Sequence, residues 1–129
     1  MVVDTSAVVA IFLNEPECAV FQAAIDGAAS KSLSAVTAVE CSLVIESRLG
    51  PKAGQELEAY LQMAGLAIHP VTRPQVEWAR AAWRHYGRGR HPAGLNLGDC
   101  FAYALARSLH QPLLFNGNAF AQTDIRPAL

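Results

Sequence analysis

Met1 to Val3 is apolar and gives way at once to Asp4-Thr5-Ser6, a pattern that predicts the end of a short buried strand and the turn leaving it. Ala7 to Leu13 is apolar on every face, as a short buried helix would be. Asn14-Glu15-Pro16 stops it and starts a second helix, with Asn14 able to cap and Pro16 suited to the first helical position. That helix runs to about Asp26-Gly27. Ser32 to Ala35 predicts a second strand. Thr37 then opens a helix with a Thr-x-x-Glu signature completed by Glu40, an apolar stripe of Val36, Val39, Leu43 and Val44, and a stop at Gly50-Pro51.

The pattern continues with a helix over Lys52 to Ala64, where Leu57, Tyr60, Leu61 and Ala64 recur at helical spacing. Leu66 to Val71 predicts a third strand. Thr72 to Tyr86 is amphipathic, with Val76, Ala79 and Trp83 on one stripe. Gly87 to Gly94 reads as a basic, flexible loop. Asn96 caps a helix over Leu97 to Leu109 that is apolar nearly all round and therefore deeply buried. Pro112 to Phe115 predicts a fourth strand, and the tail after Gly117 a loop with one more short strand at Thr123 to Ile125. Strands alternating with helices predict an α/β domain whose central parallel sheet is covered on both faces.

At 129 residues, with neither an internal repeat nor a linker, residues 1–129 read as a single domain. Three cysteines without ligand spacing or a CxxC read as buried free thiols in a reducing compartment. No signal peptide or membrane span is visible, so the expectation is a cytoplasmic protein with no membrane partner. The net charge of −1 excludes a general nucleic-acid coat, but its distribution is uneven. Between Arg73 and Arg107, six arginines face only Glu77 and Asp99, a local +4 that leaves −5 for the rest. Apolar residues reach 52% and charged residues only 16%, an apolar surplus that calls for a partner surface. Four histidines show neither HxH nor HExxH spacing, and no Gly-rich phosphate loop or nucleophile elbow occurs.

The chemistry lies in three acids. In an open parallel sheet, ligands bind off the carboxyl ends of the strands. Asp4 follows the first strand, Glu40 lies in the first turn of the helix after the second, and Asp99 lies in the first turn of a buried helix. Three unpaired carboxylates in one cleft repel, and a hard divalent cation relieves that repulsion. Such an ion suits phosphodiester hydrolysis with water as the nucleophile. Each acid also has a structural reading. Glu40 could close a capping box with Thr37, and Asp99 could serve the helix macrodipole. Asp4 is harder to dismiss, because it interrupts an apolar opening where charge is costly. Ahead of Asp99, Trp78, Trp83 and Tyr86 mix with Arg84, Arg88 and Arg90, a composition suited to single-stranded RNA. The two tryptophans could equally belong to the core, with the arginines on a solvated face.

Val2-Val3-Asp4-Thr5-Ser6-Ala7, the helix bearing Glu40, Asn96-Leu97-Gly98-Asp99-Cys100-Phe101-Ala102 and Gly117-Asn118-x-Phe120-x-x-Thr123-Asp124 occur in one order along the chain. Together they resemble the PIN-domain toxins of the VapC family. The resemblance implies a three-layer α/β/α fold, Mg²⁺ or Mn²⁺ dependence, and endoribonuclease activity in a type II toxin–antitoxin pair. It also implies a homodimer and a cognate antitoxin whose tail occupies the active-site groove. Asp4, Glu40 and Asp99 would be the metal-binding acids, and Ser6 would orient a carboxylate or water. The family pattern has a further acid just before the tail Phe, where this chain has Ala119. Asn118 and Asp124 are the neighbouring candidates for a secondary role. That departure suits one firmly held ion better than two. It also opens a rival reading, a catalytically weakened PIN-fold protein that binds RNA or antitoxin.

Overall fold

The computed structural model describes residues 1–129. Its strands are β1 (Val2–Val3), β2 (Ser32–Ser34), β3 (Ala67–His69) and β4 (Leu113–Leu114), all parallel in the order β3-β2-β1-β4. Six helices connect them: α1 (Thr5–Phe12), α2 (Cys18–Gly27), α3 (Ala35–Leu49), α4 (Pro51–Met63), α5 (Arg73–Tyr86) and α6 (Leu97–Leu109). Successive strand residues point to opposite faces, which divides the core in two. Val2 and Leu113 pack with Ala79 and Ala82 of α5 and Ala102 to Ala106 of α6. Val3, Leu33 and Leu114 pack with residues of α1, α2, α3 and α4. The fold is therefore the three-layer α/β/α arrangement expected.

The sheet grows outward from β1 in one direction through β2 to β3, then returns to place β4 on the other side of β1. The strand order thus reverses between β1 and β4, the position at which open α/β sheets form a crevice. Asp4 and Asn116 follow these two strands there.

Several boundaries differ from the expected ones for identifiable reasons. α1 begins at Thr5 rather than Ala7, because the Asp4 side chain accepts from the Ser6 amide and caps the helix. Asn14 does not cap α2. It adopts a left-handed backbone (φ 52°) and closes α1, with Asn14 N–H donating to Ile11 O and Glu15 N–H to Ala10 O. α3 begins at Ala35 with Ser34 as cap, so Thr37 and Glu40 form no capping box and Glu40 lies in the second turn. Of the α3 stripe, Val39 and Leu43 are 59% and 66% exposed, while Thr37, Cys41 and Ile45 face the core. Trp83 likewise stands 46% exposed.

The loop before α6 is not free. Gly87 pairs with Leu95, and Arg88, Arg90 and His91 donate backbone bonds within it. The tail strand is absent at Thr123–Ile125. A 3-10 turn, Phe120–Gln122, ends just before that stretch, and only Pro127 bridges to Leu113. Cys41 and Cys100 are buried and Cys18 partly so, all as free thiols.

Candidate active site

Asp4 is 2% exposed and sits between the end of β1 and the start of α1. Its Oδ2 accepts from Ser6 N–H (2.9 Å) and Ser6 Oγ–H (2.7 Å). The Ser6 hydroxyl oxygen in turn accepts from Asn116 N–H (2.9 Å), which ties the β1 and β4 ends together. Asp4 Oδ1 has no partner at all, although it is buried. A buried carboxylate oxygen left without a donor is costly unless something else satisfies it. Burial raises Asp4 to about 6, against the lowering pull of the Ser6 bonds and with further raising by Asp99 and Glu40.

Glu40 is held from α1 by Thr5, whose hydroxyl donates to Glu40 Oε2 at 2.9 Å. Its carboxylate lies against Gly98 in the first turn of α6, in space that a Cβ at position 98 would fill. Asp99 completes a capping box, with its Oδ2 accepting from Asn96 N–H (2.9 Å) while Asn96 Oδ1 accepts from Asp99 N–H (2.8 Å). Desolvation raises Asp99 as well, opposed by the Asn96 bond, raised further by Glu40 and lowered by Arg88.

The three acids therefore share one electrostatic neighbourhood, at the start of α1, in the second turn of α3 and at the start of α6. They do not form a closed set of metal ligands in this conformation. The reason is local, since Glu40 turns to Thr5, Asp99 to Asn96 and one Asp4 oxygen to Ser6. Of their oxygens, Asp4 Oδ1 is the one that is both buried and unpartnered, and an unsatisfied anionic oxygen beside two further carboxylates fits a hard cation. Asp99 does serve the start of α6, by a capping box with Asn96 that the macrodipole reading does not specify, whereas the capping box expected of Glu40 with Thr37 does not form.

Of the basic candidates, Arg88 lies near enough to favour ionised Asp99. The Arg90 guanidinium lies 4.0 Å from the centre of the exposed Trp83 ring. Arg84 is exposed on α5.

A sequence model of the PIN domain matches residues 1–126. Ribonuclease VapC of Mycolicibacterium smegmatis is 47% identical over 97% of this chain and 97% of its own. Ribonuclease VapC30 of Mycobacterium tuberculosis is also 47% identical, over 97% and 95% respectively. The chain belongs to the VapC family of PIN domains. The fold agrees with the crystal structure of Mycobacterium tuberculosis VapC20, described as a sarcin-ricin-loop-cleaving toxin, at a TM-score of 0.74, 19% identity and 98% coverage of each chain.

Against the VapC pattern, Ala119 is half-buried and packs against the core on the α5 and α6 side, and Asn118 is exposed with its carbonyl accepting from Gln122. Asp124 does not join the acidic group. It accepts from Tyr103 Oη (2.8 Å) and pairs with Arg107 (3.5 Å), further along α6. Three residues around the VapC acids are absent from the sequence reading as participants. Thr5 could have been found as the second polar residue after β1. Gly98 is conspicuous as a glycine early in a helix, where it is unfavourable. Asn116 lies two residues past β4, off the same end of the sheet as Asp4, so the same switch-point argument covers it. Its side chain donates to Glu15 (3.0 Å).

Proposed function

We propose that this chain is a Mg²⁺- or Mn²⁺-dependent endoribonuclease, the toxin of a type II toxin–antitoxin pair. The observation that carries the reading is Asp4 Oδ1, a buried and unpartnered carboxylate oxygen at the β1/β4 switch point, electrostatically coupled to Glu40 and Asp99. The VapC relatives named as ribonucleases support the choice of RNA as substrate.

Asp4, Asp99 and Glu40 would hold the cation, which when bound lowers the pKa of water and offsets charge on the scissile phosphodiester. The chain's own groups prepare that place. Ser6 fixes Asp4 by two bonds to Oδ2 and leaves Oδ1 uncommitted. Thr5 and the bare backbone at Gly98 fix Glu40 beside the start of α6. Arg88 supplies a cation near Asp99 for a substrate phosphate, and Arg90 with Trp83 offers a charged, aromatic surface for a neighbouring nucleotide. The family pattern's acid is replaced by Ala119, and Asp124 is committed to Tyr103 and Arg107. One firmly held ion follows, with substrate oxygens completing any second site.

The decisive experiment is cleavage of single-stranded RNA by purified protein with Mg²⁺, with Mn²⁺ and with chelator. Cleavage should require the metal and vanish in Asp4→Asn. If wild type binds RNA tightly yet never cuts it at any metal concentration, the replacement at Ala119 has left an RNA-binding protein instead. The apolar surface beside the site supports the other partners of this reading, a second copy of the chain and a cognate antitoxin.

A further inference from the structure

α5 and α6 pack antiparallel, so the start of α5 meets the end of α6, away from Asp99. A cavity of 370 Å³ opens there between Trp78, Arg107, His110, Gln111 and Arg126. A second one of 510 Å³ adjoins it across Trp78, Arg107 and His110, and adds Gln75 and Ser108. Of the five buried side-chain polar atoms in the protein that lack a partner, three lie here: Gln75 Oε1, Ser108 Oγ and Gln111 Oε1. Gln75 is only 5% exposed, and it lines the larger of the two cavities. The remaining two, Asp4 Oδ1 and Thr37 Oγ1, lie elsewhere. Clustering of this kind marks a place built to make hydrogen bonds with something absent.

The surrounding chemistry narrows what that is. Asp124 pairs with Arg107, and the Arg107 guanidinium sits 4.7 Å from the Trp78 ring centre. One ion pair uses only part of a five-donor fork, so Arg107 retains donors for a second anion. Arg126 and His110 stand exposed at the rim. Gln111 Nε2 already donates to Ser30 Oγ (3.3 Å), so what the glutamines leave open are their Oε1 acceptors. Aromatic surface, an arginine pair and amide acceptors are groups that bind a nucleotide. The aromatic meets the base, the amides its edge, and the guanidinium groups its phosphate.

We propose that these joined cavities are a nucleotide-binding site distinct from the acidic one. The nucleotide is either free or part of an RNA strand. Asp99 and Arg107 are eight residues apart on α6, about 12 Å along its axis, so one strand can reach both sites. The inference does not require that the protein cleave RNA.

Trp78 and Trp83 are the only tryptophans, so Trp83→Phe leaves Trp78 as sole fluorophore in the full chain. Titration with adenosine 5′-monophosphate should change its emission saturably. Gln75→Leu and Arg107→Gln should each weaken binding about tenfold or more. The exposed Arg126→Ala, which leaves the core untouched, should weaken it too. Asp4→Asn should leave it unchanged. A parallel titration with a non-cleavable RNA oligonucleotide distinguishes the sources. Saturation by RNA alone, with the same sensitivity to Gln75, Arg107 and Arg126, identifies the site as a path for the strand. The proposal falls if neither probe saturates, if Arg126→Ala and Gln75→Leu both bind as the parent does, or if Asp4→Asn abolishes the signal.

Discussion

At the scale of single residues, Asp4 carries most of the argument, because its two oxygens have opposite fates. Ser6 satisfies Oδ2 twice over, while Oδ1 is buried with nothing. The outcome is a carboxyl raised to about 6 by burial first, with Asp99 and Glu40 adding to the rise. A folded-state value above the unfolded one means the native protein binds this proton more tightly. The associated stability is fully present below about pH 4 and is lost as pH rises through about 6. A gap of roughly two units corresponds to about 3 kcal/mol held against the metal-free fold at neutral pH. Asp4→Asn keeps an acceptor for the Ser6 amide and removes the charge. Without metal, the variant should therefore melt several degrees above wild type at neutral pH, and the difference should shrink toward zero near pH 4. Thermal melts across that range, with and without Mg²⁺, measure it. Mg²⁺ should stabilise wild type and not the variant. A melting difference independent of pH would reduce Asp4 to a helix cap.

At the scale of elements, the connection from α5 to α6 joins the acidic chemistry to the basic residues. Its charge suggested a flexible loop, but the Gly87–Leu95 bridge and internal backbone bonds hold it in shape. Arg88 is thereby placed near Asp99 and Arg90 against Trp83. Replacing both arginines by Ala should weaken RNA binding and flatten its salt dependence, each lost phosphate contact removing about 0.7 from the single-strand slope. Binding measured at several salt concentrations gives the slope, and an unchanged value would return both to the solvated surface. Elements with strong periodicity or clear caps were legible in the sequence. α6 began at Leu97 because Asn96 and Asp99 signal a start locally. The misplaced starts share a cause, since Asp4 and Ser34 cap α1 and α3 from strand ends that the hydrophobic pattern assigns elsewhere. Thr37-x-x-Glu40 imitated a cap that Ser34 had already supplied. The tail strand failed because Phe120 packs into the core through a 3-10 turn, and the pairing moves on to Pro127. Which acids come near one another was legible from their places at strand ends and helix starts. What each one touches, Thr5 for Glu40 or Tyr103 for Asp124, depends on packing between elements distant in sequence.

At the scale of the whole molecule, the apolar surplus in the composition appears as a surface. Val39 and Leu43 on α3 and Leu97 at the start of α6, the last 75% exposed, line a groove of 600 Å³ that also reaches Glu40. Leu97 is shared with a second groove of 330 Å³ beside Trp83 and Phe101 on the α5 side. Two adjoining apolar depressions centred on one exposed leucine form a continuous patch, a kind of surface that marks an interaction site. A second copy suits it best, because the patch is apolar at its middle and charged residues flank it, as in a self-complementary interface. The expected species is thus a dimer of the 13.8 kDa chain. Leu43→Glu should split it, because each interface buries that position twice under two-fold symmetry, and two carboxylates would then meet without partners. Light scattering over a range of concentrations reads the mass directly, and circular dichroism confirms that the variant is folded. Position 43 is solvent-exposed in the single chain, so the substitution should leave the fold of each copy intact. A wild-type monomer at high concentration would assign the patch to the antitoxin alone. A Leu43→Glu dimer would move the interface to another face.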